Sequence, residues 1–282
     1  MRLVGSKFSS RAVAVVSAAI LLLPLAAQAQ SGSSLPLWEL GAFGLGVSQQ
    51  AYPGSDQQVN RGLALPFFVY RGRFLRADGE TAGLRAIKTP RFELDIGFAG
   101  SFGARSDDTT ARRGMPDLGT LVEFGPRVKW NLGQAPGGGN WRVELPLRGV
   151  FDLGDSAAYR GLAFEPRLVF ERRTSSGWAY ATSVGAILAD GRLGRTLYGV
   201  DAADALADRP AYAAQGGLVA WRLSAAFSRS LAPDWRFFGF ARLDSVAGAA
   251  NDDSPLVKRT NGGSVGIGLS YTWLRSGQRA SD

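Results

Sequence analysis

Between residues 37 and 275, apolar and polar positions alternate with a period of two, in segments of roughly ten residues broken by Gly, Pro, Asp and Asn. The last segment, residues 263–273 (GSVGIGLSYTW), is the cleanest. Val265, Ile267, Leu269, Tyr271 and Trp273 fall on one face, and Ser264, Gly266, Gly268, Ser270 and Thr272 on the other. A soluble strand can alternate too, but here the polar face has almost no bulk and the apolar face ends in aromatics. Lipid outside, water inside and an aromatic girdle at the interface produce that pattern. Residues 91–103 set Phe92, Leu94, Ile96 and Phe98 against Glu93, Asp95 and Ser101. Residues 120–132 set Phe124, Val128 and Trp130 against Glu123, Arg127 and Lys129. Residues 141–151 repeat this with Arg142, Glu144 and Arg148, and residues 215–230 with Arg222, Ser224 and Ser228. Charges recur on the second face of strand after strand. A soluble sandwich turns its charges to bulk water, whereas a barrel in lipid keeps them in its lumen.

With the weaker segments 37–47, 62–70, 73–79, 83–88, 160–170, 178–188 and 235–247, the pattern predicts 12 strands. Their connectors sort by length. Long ones (49–60, 104–117, 189–214 and 248–261) are all odd-numbered in chain order, and short ones (71–72, 89–90, 174–177 and 231–234) are even-numbered except 80–82, with 133–140 and 152–159 of medium length. Outer-membrane barrels have short periplasmic turns and long outer loops, and an even strand number leaves both termini in the periplasm. The expectation is therefore an all-β protein, a transmembrane antiparallel up-and-down β-barrel formed by residues 30–282. Pro126, Pro146 and Pro166 lie inside expected strands, where the missing N–H predicts bulges.

Arg2, Lys7 and Arg11, an apolar run over residues 12–25 and the small-x-small site Ala27-Gln28-Ala29 predict a secretory signal peptide over residues 1–29, cleaved after Ala29. Residue 30 is Gln, so no lipoprotein anchor is expected. Beyond it no apolar run approaches the length of a membrane-spanning helix. The chain has no Cys, so an exported protein of this sequence has no disulfides. It has no His either, which excludes Ser-His-Asp chemistry and His-ligated zinc. An outer-membrane hydrolase would be left with Ser-Lys or paired carboxylates, and lumen Glu/Arg alternation is more simply mutual charge satisfaction. No catalytic residue, metal site or cofactor is assigned. Asp201, Asp204 and Asp208 could hold a divalent ion but are more simply a solvated acidic loop. The net charge of +8, about +5 without the leader, says nothing of nucleic acid, and none is expected as a partner.

Gly268-Leu-Ser-Tyr271-Thr-Trp273 resembles the C-terminal assembly signal of bacterial outer-membrane barrels, although nine residues follow Trp273 where such chains usually end. Four further motifs occur in order: Tyr52-Pro53-Gly54-Ser55-Asp56, Tyr70-Arg71-Gly72-Arg73-Phe74, Gly114-Met115-Pro116-Asp117-Leu118 and Glu123-Phe124-Gly125-Pro126. Each has a local explanation in turn chemistry, with Pro presetting φ and Gly permitting φ > 0. Together they closely resemble the MipA/OmpV family of outer-membrane proteins over nearly the whole chain. The resemblance implies an outer-membrane scaffold linking a lytic transglycosylase to a penicillin-binding protein, in contact with lipid and lipopolysaccharide. Adhesion and antibiotic response are other roles within that family.

A passive diffusion channel is the competing class, its selectivity set by the lumen charges. The expected turn-side rim carries nine basic residues against three acidic ones, while the longer outer connectors carry 12 Asp against eight Lys or Arg. Arg71, Arg73, Arg172 and Arg173 on that rim are candidates for docking acidic partners, against the alternative that they reach lipid phosphates.

Overall fold

The computed structural model describes residues 35–71, 75–77, 82–84, 87–101, 103–104, 106 and 109–280. The expected leader, with Ala27 and Ala29, and the rim residue Arg73 lie outside the described residues.

Among the described residues, fourteen strands run in sequence: β1 (Trp38–Gln50), β2 (Gln58–Arg71), β3 (Leu75–Ala77), β4 (Ala82–Leu84), β5 (Ile87–Lys88), β6 (Phe92–Ser101), β7 (Leu121–Gln134), β8 (Asn140–Asp152), β9 (Ala158–Phe164), β10 (Arg167–Arg173), β11 (Trp178–Ala189), β12 (Gly217–Ser230), β13 (Trp235–Ser245) and β14 (Asn261–Arg275). All pair antiparallel in one sheet of order β4-β3-β2-β1-β14-β13-β12-β11-β10-β8-β7-β6-β5, with β9 joined to β8 and β11. The two ends of that path are β4 and β5, which are consecutive in the chain, and β4 also lies against β6. The sheet therefore closes on itself, which removes its edges.

β4 and β5 are two pieces of one stave, and so are β9 and β10, which share the neighbours β8 and β11. Grouped this way, the strands form the 12 expected staves. Pro166 explains the second interruption, falling in the gap between β9 and β10. The other two prolines correct the expectation of bulges. Pro126 stays in register with Ile96 and Pro146 with Arg127, while the register shifts fall elsewhere, between Leu40 and Gly41, Asn131 and Gly133, Val150 and Phe151, and Ile187 and Leu188.

Polarity is inverted relative to a soluble protein. Phe92, Trp130, Leu145, Leu147, Trp221, Leu223, Ile267 and Trp273 are exposed on the outer face. Asp95, Arg127, Lys129, Arg142, Glu144 and Arg148, from the alternate positions, are buried in the lumen. Among the described residues, one sector departs from lipid outside and water inside. There Phe43 and Leu45 of β1, Leu65 of β2 and Phe238 of β13 form a small apolar cluster, against which Leu63 and Phe67 pack. The glycines of β14 explain how this fits. Phe238 is in register with Gly268 and Phe240 with Gly266, and a Cβ on Gly266 would come within 2.3 Å of the Phe240 ring. The small face of β14 is thus a floor for large neighbours and not a water-lined wall.

The largest apolar core sits outside the staves, at one end of the barrel. It gathers Tyr52, Met115, Leu118, Leu193, Tyr198, Val246 and Leu256 from the four long loops, over Val150, Val219 and Ala220 of the strand ends. The loop after β11 also contains a helix, α1 (Gly191–Tyr198), which the sequence pattern did not predict. Asp190 caps it by accepting from the Leu193 amide at 2.8 Å, and Leu193, Leu197 and Tyr198 turn its buried face to the core. Among the described residues, no helix is long and apolar enough to cross a membrane.

Candidate functional site

Two of the sequence motifs meet in the cap, from loops far apart in the chain. Gly54 takes φ +91°, a value glycine adopts without strain, and so lets the chain turn back. The Gly54 carbonyl then accepts from the amides of Lys258 and Arg259 at 2.8 and 3.0 Å. Tyr52 is 3% exposed and donates its hydroxyl to the Leu256 carbonyl at 2.8 Å, while its ring meets Tyr198 edge to face at 6.2 Å. Tyr198 donates to the Pro53 carbonyl at 2.9 Å, and Ser254 donates to the Tyr198 carbonyl at 2.8 Å. Ser55 accepts from the Gln57 amide, and its carbonyl from the Gln50 side chain.

The second motif enters through Met115, which is buried in the same core, and through Asp117, which accepts from the Ser106 amide at 2.6 Å. Gly114 takes φ +79°, and the Pro116 carbonyl accepts from Arg112. Arg112 also reaches the Leu197 carbonyl, and Arg209 donates to the carbonyls of Ala111 and Arg113. These two buried arginines stitch loop backbone to loop backbone, a role that sequence reasoning missed.

Burial pushes the Tyr52 hydroxyl up to about 12, against an opposing effect of Arg112. Burial, with the neighbouring Tyr52, raises Tyr198 further still. Burial also lowers Arg112, partly offset by Tyr52.

Below the cap lies a cavity of 480 Å³. It reaches from Tyr52, Leu193 and Leu197 on the underside of the cap to Asn140 and Arg173 beside the short turns. One wall is a belt of ion pairs. Arg127 grips Asp95 through two bonds of 2.8 and 2.9 Å, and Lys129 approaches Asp95 at 3.1 Å. Glu144 takes Arg142 and Arg167, Glu165 takes Arg148 and Arg222, and Asp244 takes both forks of Arg222 at 2.7 Å. Such charges are tolerable away from bulk water because nearly every one has an opposite charge and oriented hydrogen bonds. The inward positions of β11 are small, with Ala179, Ala181 and Ser183, and that is where the belt leaves room.

The remaining sequence-derived residues fall at the turn end. Gly268 faces inward under Phe238, the Tyr271 ring packs tilted against Trp235 with centroids 4.8 Å apart, and Trp273 is exposed on the outer face. The described residues after Trp273 continue the pairing with the segment before β1. Gln278 accepts from the Leu37 amide at 2.9 Å, and the Ala280 amide donates to Leu35 at 2.7 Å. Arg71 is 5% exposed, tied to Glu39 at 3.2 Å and to the Pro36 carbonyl. Arg172 and Arg173 are exposed. No group of three His, Cys, Asp or Glu side chains able to hold a metal ion occurs among the described residues.

A closed antiparallel barrel with an apolar outer belt, a charged lumen and its first and last described segments at the short-turn rim is an outer-membrane β-barrel protein. Residues 41–273 match the family described as MltA-interacting protein MipA, and the chain belongs to that family. It is a protein of the outer membrane. Among solved structures it is similar to a Pseudomonas aeruginosa FadL homologue, with 10% identity and a TM-score of 0.35, over 88% of this chain and 74% of that one. It is also similar to an outer membrane channel from Pseudomonas putida F1, with 9% identity and a TM-score of 0.34, over 88% of this chain and all of that one. A search of curated proteins finds no match.

Proposed function

We propose that this barrel is a non-enzymatic scaffold that presents a periplasmic rim to murein-remodelling enzymes, a lytic transglycosylase and a penicillin-binding protein. The observation that carries the reading is the cap. An apolar core drawn from four loops lies over the outer mouth, which argues against a through-going pore and leaves the short-turn rim as the face offered to the periplasm. The family name supplies the transglycosylase, since MltA is what the protein for which the family is named interacts with. Arg172 and Arg173, exposed beside the turn at Thr174–Gly177, are the docking residues we favour, through charge-assisted contacts to acidic groups that salt weakens. Arg71 is bound to Glu39 and contributes by holding the rim together.

Crosslinking in intact envelopes tests this reading. The parent should capture both enzymes, and the R172E/R173E variant, which leaves the outer apolar belt untouched, should capture at most about a tenth as much at low salt. Equal capture by the variant overturns the docking role, and a steady open conductance of the parent in planar bilayers favours a diffusion channel instead. We also propose that residues 1–29 are a leader removed after Ala29. Mass spectrometry of the protein from outer membranes should find Gln30 at its amino terminus.

A further inference from the structure

Arg242 differs from the other arginines of the ion-pair belt. It points inward from β13 between Phe240 and Asp244, lines the 480 Å³ cavity, and makes no hydrogen bond or ion pair among the described residues. Its Nε is buried without a partner, and its nearest ring contact is Phe240, at 6.0 Å. The charged groups facing it are Arg222, Asp244, Glu165 and Arg167. Both carboxylates among these are already engaged. Asp244 accepts two bonds from Arg222, and Glu165 accepts one from Arg148 and one from Arg222. Arg242 is half-buried, but its Nε is shut off from solvent with the neighbouring carboxylates taken by others, and in folded proteins such a buried polar atom ordinarily has a partner.

The surroundings specify what the partner would be. Room for it exists because the neighbouring inward positions are small: Ser264 on β14, Ser224 on β12, and Ala179 and Ala181 on β11. Phe240 is held at the cavity wall by the space over Gly266, so an apolar surface lies directly beside the unpaired cation. Further apolar side chains, Ile187 and Leu197, line the cavity toward the cap. The volume lies in the range of small-molecule sites, which combine apolar walls with a few fixed polar groups.

We propose that the lumen is a binding site for an amphipathic organic anion, its carboxylate or sulfonate paired with Arg242 and its ring or short chain laid against Phe240. Arg222 is locked to Asp244 and Glu165, so it shapes the site without competing for the ligand's charge. The reading does not depend on the scaffold role, because Arg242 and Phe240 lie on β13, whereas the proposed docking residues Arg172 and Arg173 line only the rim-side end of the cavity.

Three probes of one shape test it by titration calorimetry on the assembled barrel in zwitterionic detergent: naphthalenesulfonate, naphthalenemethanol and naphthalenemethylammonium. The parent should bind the anion at least about tenfold more tightly than either of the others, equivalent to about 1.4 kcal/mol. Arg242→Gln should remove that preference while keeping the parent's heat-modifiable migration, and Arg242→Lys should retain most of it. Arg61→Gln, at an exposed residue that does not line the cavity, should leave it unchanged. Equal affinity of the parent for the three probes, or no binding of the anion, overturns the proposal without any variant. An unchanged preference in Arg242→Gln overturns the assignment to that residue, and if that variant does not assemble, an unchanged preference in Arg242→Met has the same force.

Discussion

Tyr52 ties the first outer loop to two segments that follow it by 145 and 204 residues, through its neighbour Pro53 and through its own hydroxyl. Tyr52→Phe deletes one buried hydrogen bond and leaves the Leu256 carbonyl unsatisfied, a loss of about 1–3 kcal/mol. Tyr52→Ala also empties a packed aromatic site, and large-to-small changes of that kind cost about 3–5 kcal/mol. Limited proteolysis of the outer loops should rank parent, Phe and Ala variants in that order. The hydroxyl also has a pH signature. Its folded-state value is raised from 10 to about 12, so the neutral form is the one the fold stabilises. The contribution is complete below pH 10 and is lost as pH rises toward 12, and the cap should loosen in that window as tyrosinate absorbance appears. Tyr52→Phe should move the loosening to higher pH; an unchanged midpoint would assign the transition to Tyr198 instead. The Tyr-Pro-Gly turn was legible in the sequence because turn chemistry is local. Its partners Tyr198 and Leu256 were not, because no periodicity links positions that meet only through loop packing.

Strands were legible wherever both faces obey one rule, as in β6, β7 and β8, where every inward charge alternates with an outward apolar residue. The same rule misled on β14. Its glycines and serines looked like a wet wall, yet Gly266 and Gly268 are small because β13 lays Phe240 and Phe238 over them. A cross-strand pair of this type is visible only once the register is known. It makes a prediction about coupling. Gly266→Ala places a Cβ within 2.3 Å of the Phe240 ring and should destabilise the barrel by about 1–3 kcal/mol, the usual cost of overpacking. Phe240→Leu in the same chain should recover part of that loss, so the double variant should be more stable than the sum of the two single effects. Thermal midpoints of heat-modifiable migration measure all three, and strict additivity would show that the glycine is required by the strand itself. Helix α1 was missed for a related reason. Its cap at Asp190 and its apolar residues Leu193 and Leu197 span too few residues to stand out from a long loop.

At the scale of the whole molecule, two barriers could close the barrel to ions, and they differ in kind. The ion-pair belt lines the wall and leaves a 480 Å³ space, whereas the cap covers the mouth with an apolar core that excludes hydrated ions. If the cap is the decisive barrier, the outer-membrane protein should be electrically silent until its loops are detached, and the staves should not notice the change. Leu193→Asp with Leu197→Asp puts two carboxylates into the buried face of α1, where the nearby Arg112 is already engaged on loop carbonyls. An unpaired buried charge costs several kcal/mol, on the order of what one loop segment can contribute to the cap, so α1 should leave the core. The strands hold one another through backbone ladders that do not involve α1, so heat-modifiable migration should persist. Planar-bilayer recordings should then show a steady open level for the double variant and none for the parent. Silence in both would mean that the belt of Arg148, Glu165 and Arg222 blocks the lumen by itself. In that case Arg222→Ala, which strips Asp244 of both its hydrogen bonds to Arg222, should be the change that admits ions, with a stability loss of about 3–5 kcal/mol accompanying it.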